Sequence, residues 1–198
     1  MNYQDLLAES STTSDLIAAL KEELPYLWRE NYEHRTRRPT NLVRVELGTF
    51  VYIYDFYSGL EATAAAPTGL GIEDRLVGAF GTSTAPTEIR DPARIRGWVG
   101  PTQLRYGADR DKGHIFGRAL GGGTDGPGIN TWIQSRSLNR GWSDQGKMFR
   151  KMEGYCAKHP GIFCFSCPTY VDQTCELVGF EFGIILPDKS LWIREFEN

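Results

Sequence analysis

The residues whose types and spacing could do chemistry lie in the middle of the chain, between Asp111 and Trp142. His114 follows Lys112-Gly113 at the end of a short polar run and precedes the apolar pair Ile115-Phe116. A neutral imidazole, with an ordinary pKa of about 6.5, can take a proton from water at neutral pH. The glycine beside it lets a ligand or a neighbouring backbone come close. Further on, Asn139 sits between Arg136 and Arg140. An asparagine opening a helix is ordinarily an N-cap. Among arginines and loop glycines, its amide oxygen also suits Mg²⁺, which keeps most of its waters and needs few protein donors. Asp111, Asn130 and Gln134 add further oxygens to the same segment.

Charge is distributed in a way the sum of −3 hides. Residues 1–93 carry 8 Lys/Arg against 14 Asp/Glu, residues 94–151 carry 11 against 4, and residues 152–198 carry 3 against 7. The middle block, at +7, contains no glutamate. Phosphate binding needs only a local cationic surface, because salt limits the reach of each charge to about 8 Å. A solvated basic face has the same signature.

The elements that must position these residues follow from periodicity. Residues 1–37 are expected to be helical: Leu16, Leu20, Leu24 and Trp28 recur four apart, Ser14 stands as an N-cap, and Pro25 kinks or divides the run. Residues 41–57, rich in Val, Tyr and Phe around Gly48-Thr49, predict a hairpin or two successive strands. Residues 58–92 are crowded with Gly, Ala, Thr and Pro and predict mostly loop with short pieces of structure. Residues 95–106 and 112–117 are expected to be extended, 118–128 a loop, and Leu138 to Lys158 a helix. Strands are expected at 161–167 and 176–185, with a last one over Leu191–Phe196. The expected fold class is α+β: an N-terminal helical extension over 1–40 and one α+β domain over 41–198, with no internal repeat.

Three ordered elements resemble a known family. Asp111-Lys112-Gly113-His114, then Asn130 with Gln134 four residues on, then Leu138-Asn139 with Gly141-Trp142, are similar to the DNA/RNA non-specific endonucleases, the ββα-metal or His-Me finger nucleases. The resemblance covers roughly residues 100–165. With a downstream Gly146-Lys147 and Phe149-Arg150 run and a β-rich tail, the chain looks like the form found in bacterial toxin domains. The resemblance implies a ββα-metal motif at about 105–158 and a mixed or antiparallel sheet. It implies hydrolysis of DNA or RNA phosphodiesters with little base selectivity, with His114 as general base and Asn139 holding Mg²⁺ or another divalent cation such as Mn²⁺ or Ca²⁺. Lys112, Arg136 and Arg140 would clamp phosphate where charge develops, while Asp111, Asn130 and Gln134 would support the metal waters or the loop. A toxin would add an immunity or inhibitor protein as partner. Two departures stand out. Lys112 replaces the family's usual arginine and loses its bidentate fork. The family's acidic residue about two turns after the metal asparagine meets Gln145, Gly146 and Lys147 here, with Asp144 early and Glu153 late. Without that acid, the competing expectation is a weakly active or inactive nucleic-acid-binding protein on the same fold.

Other features have plainer readings. His34 among arginines is expected at an exposed helix end, and His159 before Pro160-Gly161 in a turn. Cys156, Cys164, Cys167 and Cys175 contain one CxxC where a Cys₄ zinc site usually has two. Positions 164 and 167 of a strand face opposite sides, so buried thiols are expected ahead of disulfides or zinc. Gly121-Gly122-Gly123 lacks the Gly-Lys-Ser/Thr of a phosphate loop. No apolar run approaches the roughly 20 residues that span a bilayer, and the polar start is unlike a secretory leader. The expectation is a soluble protein without a membrane partner, cytoplasmic or exported by a leaderless route.

Overall fold

A computed structural model describes residues 3–36, 40–55, 75–86, 107–123, 129–170 and 177–198. The N-terminal helical pattern forms two helices, α1 (Tyr3–Glu9) and α2 (Thr13–Thr36). The cap of α2 is Thr12 rather than Ser14. The Asp15 N–H donates to Thr12 Oγ1 at 3.1 Å, and the Thr12 N–H donates back to the Asp15 carboxylate at 2.9 Å. This reciprocal pair satisfies two otherwise orphaned donors. Pro25 lies inside α2 without dividing it. Leu16, Leu20, Leu24 and Trp28 on either side of it are all buried, and that shared apolar stripe offsets the missing backbone hydrogen bond.

Six antiparallel strands form the main sheet: β1 (Leu42–Leu47), β2 (Phe50–Asp55), β3 (Arg75–Thr82), β6 (Phe163–Thr169), β7 (Gly179–Ile185) and β8 (Leu191–Glu197), in that spatial order. The hairpin expected around Gly48-Thr49 is β1–β2, with Leu47 paired to Phe50. Within the stretch expected to be mostly loop with short pieces of structure, β3 is one such piece and stands centrally in the sheet, while residues 58–74 and 87–92 lie outside the described residues. The strand is buried on both faces and therefore shows no alternation. Its glycines serve packing. A Cβ on Gly78 would lie 2.1 Å from the Trp28 ring.

A separate antiparallel hairpin, β4 (Arg110–His114) and β5 (Thr131–Ser135), runs directly into α3 (Arg136–Asn139) and then α4 (Asp144–Lys158). The chain is thus α+β with an antiparallel sheet. Where one helix from Leu138 to Lys158 was expected, two are found. Gly141 adopts φ 72°, a left-handed conformation that ends α3, and Ser143 caps α4 by accepting the Gly146 N–H at 3.0 Å. The segment 118–128 contains one 3₁₀ turn, Arg118–Leu120. Residues 95–106 and 124–128 fall outside the described residues.

The sheet separates two layers. Trp28 and Tyr3 of the N-terminal helices meet Phe165 and Phe80 on one face. On the other, Phe116 stacks on Phe50 at 4.3 Å, Trp132 of β5 lies 4.7 Å from Phe180, and Phe149 of α4 meets Phe180, Phe182 and Phe196 edge-on. Hairpin and helix therefore stand side by side on one aromatic floor. The cysteines divide between the layers. Cys164 neighbours Cys156 of α4, while the Cys167 thiol lies against the Val77 carbonyl and Glu181. One zinc ion cannot take both Cys164 and Cys167, and Cys175 lies outside the described residues. No helix among the described residues is long and apolar enough to cross a membrane.

Replacing Gly78 by alanine drives a methyl group into the Trp28 ring. It is expected to destabilise the protein by about 2 kcal/mol, seen as a lower denaturation midpoint at unchanged m-value. An unchanged midpoint would contradict the assignment of β3 to the core.

Candidate functional site

Four residues from three elements line one cavity of about 440 Å³: Lys112 and His114 from β4, Asn139 from α3, and Glu153 from α4. Arg118 and Arg150 line it too. Alternation along β4 explains the first pair, since Lys112 and His114 are two apart and share a face, leaving Asp111 and Gly113 on the other.

Asp111 is the hub of the hairpin's junction with α3. Its carboxylate accepts from Arg140 Nε at 2.7 Å and Nη2 at 3.0 Å, from Arg136 Nε at 3.1 Å, and from Asn139 Nδ2 at 3.2 Å. Burial alone would raise this carboxyl's pKa. The hydrogen bonds from Arg140, Asn139 and Arg136 outweigh that and hold it below the usual range. Arg136 and Arg140, expected as phosphate clamps, are thus spent in part on positioning. Asn139, with its NH₂ committed to Asp111, has Oδ1 left to offer. Its backbone carbonyl accepts from Arg150 Nε at 3.0 Å, so the residue is gripped at both ends.

Asn130 and Gln134 lie elsewhere. Asn130 is buried and splints the chain after His114: it accepts from the Phe116 N–H at 2.9 Å and donates to the Phe116 and Gly123 carbonyls at 2.8 and 2.9 Å. Gln134 is fully buried against Gly113, and its amide atoms find no hydrogen-bond partner. It does not line the cavity.

Glu153, which falls late on a count along one continuous helix, stands on the cavity wall. Distance from Asn139 was measured in turns of one continuous helix, whereas the break at 140–143 restarts the helix and brings a later carboxylate to the cavity. It accepts the Gly117 N–H, and burial pushes its pKa up to about 7, against the pull of Arg150 4.0 Å away. Arg150 did carry a signal, as the end of the Gly146-to-Arg150 run. Arg118 carried none beyond its place in the basic block. Lys112 has its ammonium pKa lowered by burial. An amide oxygen and a carboxylate form an all-oxygen donor set, which fits a hard divalent cation holding mostly water. A cluster of three or more His, Cys, Asp or Glu, as a site built wholly from protein ligands would need, is absent among the described residues.

A second cavity of about 310 Å³ lies between α2 and the sheet, where Trp28, Tyr32, Cys167, Glu181 and Glu195 face it. Glu181 and Glu195 are directly paired across β7 and β8. Two carboxylates suit it poorly to phosphate, and among the described residues none of the central basic block lines it.

The unusual Glu153 makes a signed prediction. Its folded pKa exceeds the ordinary 4.5, so the folded protein keeps a proton that the unfolded chain has released. Stability then falls as pH rises from about 4.5 to 7. Glu153→Gln should flatten that part of the curve and be the more stable protein at pH 8, by at most about 3 kcal/mol. Parallel curves for the two proteins in metal-free buffer would contradict a buried, protonated Glu153. The chain matches no model of a known protein family, and no characterised protein is similar enough to count as a relative.

Proposed function

We propose that this protein is a divalent-metal-dependent endonuclease that hydrolyses DNA or RNA through backbone contacts, with β4, β5 and the following helices as a ββα-metal core. The observation that carries the reading is the convergence of His114, Lys112, Asn139 and Glu153 on one cavity inside the basic block. Proteins that read sequence present donors to base edges in a groove. Here the polar groups instead line a cavity of about 440 Å³.

The residues divide the work by type. His114 removes a proton from the attacking water as the new oxygen–phosphorus bond forms and the bond from phosphorus to the leaving oxygen breaks, that oxygen taking a proton from solvent water. Lys112, Arg118 and Arg150 line the cavity and lower the cost of charge on the phosphate oxygens. Asn139 would hold the cation through Oδ1, and Glu153 would accept hydrogen bonds from its waters. When bound, Mg²⁺, Mn²⁺ or Ca²⁺ supplies charge neutralisation at the phosphate and the leaving oxygen. Asp111, Arg136 and Arg150 act through Asn139 by holding its amide and its carbonyl. Asn130 acts through His114 by fixing the turn that follows it. The rival reading, a binding protein without activity, drew its motive from a missing acid near Asn139. A carboxylate on the cavity wall removes that motive.

Supercoiled plasmid and total RNA, incubated with Mg²⁺ or EDTA, test the reading. Wild type is expected to cut both only with metal. His114→Ala should lose about 10²–10⁴-fold in rate, Asn139→Ala comparably, and Glu153→Gln about 10–100-fold. Each should keep a native circular dichroism spectrum. No cutting by wild type with any of several divalent metals would overturn the enzyme reading.

A further inference from the structure

Trp142 is 62% exposed, one of four exposed large apolar side chains among the described residues and the only one of them within the basic block. A single exposed apolar residue needs no explanation. This one is held in place. Its backbone N–H donates to the Ser137 carbonyl at 2.8 Å, and the turn before it is closed by the Gly141 N–H on the Leu138 carbonyl at 3.1 Å. The Arg140 guanidinium lies 5.1 Å from the indole centroid and is itself anchored on Asp111. The ring thus stands on a fixed cation, with most of its surface in water, three residues beyond Asn139.

A fixed aromatic beside cations suits one chemistry in particular. A nucleobase can stack on the indole while its phosphates meet the neighbouring guanidinium groups, and every base has a face to offer. Bases inside a duplex have both faces covered by their neighbours, whereas an unpaired base does not. We propose that Trp142 is a stacking platform for an unpaired base next to the scissile phosphate, which makes single-stranded nucleic acid, DNA or RNA, the preferred substrate class. This rests on the nuclease reading above and adds to it a preference that phosphate contacts alone do not produce. Stacking also leaves recognition tolerant of sequence, since no base edge is read.

Binding can be measured without cleavage in the His114→Ala full-length protein, by fluorescence anisotropy with oligothymidylate, oligouridylate and a blunt DNA duplex in Mg²⁺. Adding Trp142→Ala is expected to weaken both single strands by roughly 10- to 100-fold and to leave duplex affinity unchanged. Trp142→Phe should recover most of the loss. Equal affinities with and without the tryptophan, an equal loss on duplex and single strand, or no single-strand binding at all would each overturn the proposal. Loss on one single strand only would confirm stacking and assign the substrate as DNA or RNA. Plasmid and RNA cleavage by the wild type, run alongside, separates the two readings. Cleavage with tryptophan-independent binding removes the platform and leaves the nuclease, whereas absence of both cleavage and binding removes both.

Discussion

A carboxylate on β4 ties the hairpin to the helix that follows it. Asp111 faces three donors, Arg136 and Asn139 of one short helix and Arg140 at its C-terminal cap, and every one of them is hydrogen-bonded to it. Asp111 and Arg136 are both mostly buried, with side chains 12% and 21% exposed, so removing either would strand a charge in a poorly solvated junction. The pairing also orders an amide. Asn139 in isolation could present nitrogen or oxygen to the cavity. With nitrogen turned to Asp111 and the backbone carbonyl held by Arg150, the oxygen is what remains. Arg140 passes the same constraint on to the indole of Trp142.

That junction works only on a rigid floor. Trp132 from β5 and Phe149 from α4 both rest on Phe180 of β7, and Phe116, just past His114, stacks between strands β2 and β7. Hairpin and helix are thereby fixed relative to each other through the sheet as well as through Asp111. The cavity between them is the space that neither fills. Close packing of this kind transmits small displacements, which is why a change in the core below Gly117 or Gly113 would reach His114 and Glu153.

What could be read from residues alone was the part written in local patterns. The leucine stripe of α2, the β1–β2 hairpin, the closing strands and the α+β class all carry their period in the chain. Motif order likewise singled out His114 and Asn139, which line one cavity. Three things were not legible, each for a physical reason. β3 is covered on both faces, so it lacks alternation, and its Gly78 answers to Trp28 rather than to a turn. The helix break at Gly141 depends on one left-handed residue, yet it shifts the register of everything after it and hides Glu153. Arg136 and Arg140 resemble phosphate clamps by charge, and only three dimensions reveal that Asp111 holds them. Gln134 shows the opposite error, a polar residue placed at a site by motif spacing that strand alternation turns into the core beside Trp132.

Under the proposed function, Asp111 orients Asn139 so that its amide oxygen can hold the cation. The most direct measurement is cleavage rate against Mg²⁺ concentration for wild type and Asp111→Asn, a change that keeps shape and removes charge. The account predicts a folded variant whose Mg²⁺ midpoint rises by about 10–100-fold, with rate partly recovered at saturating metal. Superimposable metal titrations for the two proteins would contradict it.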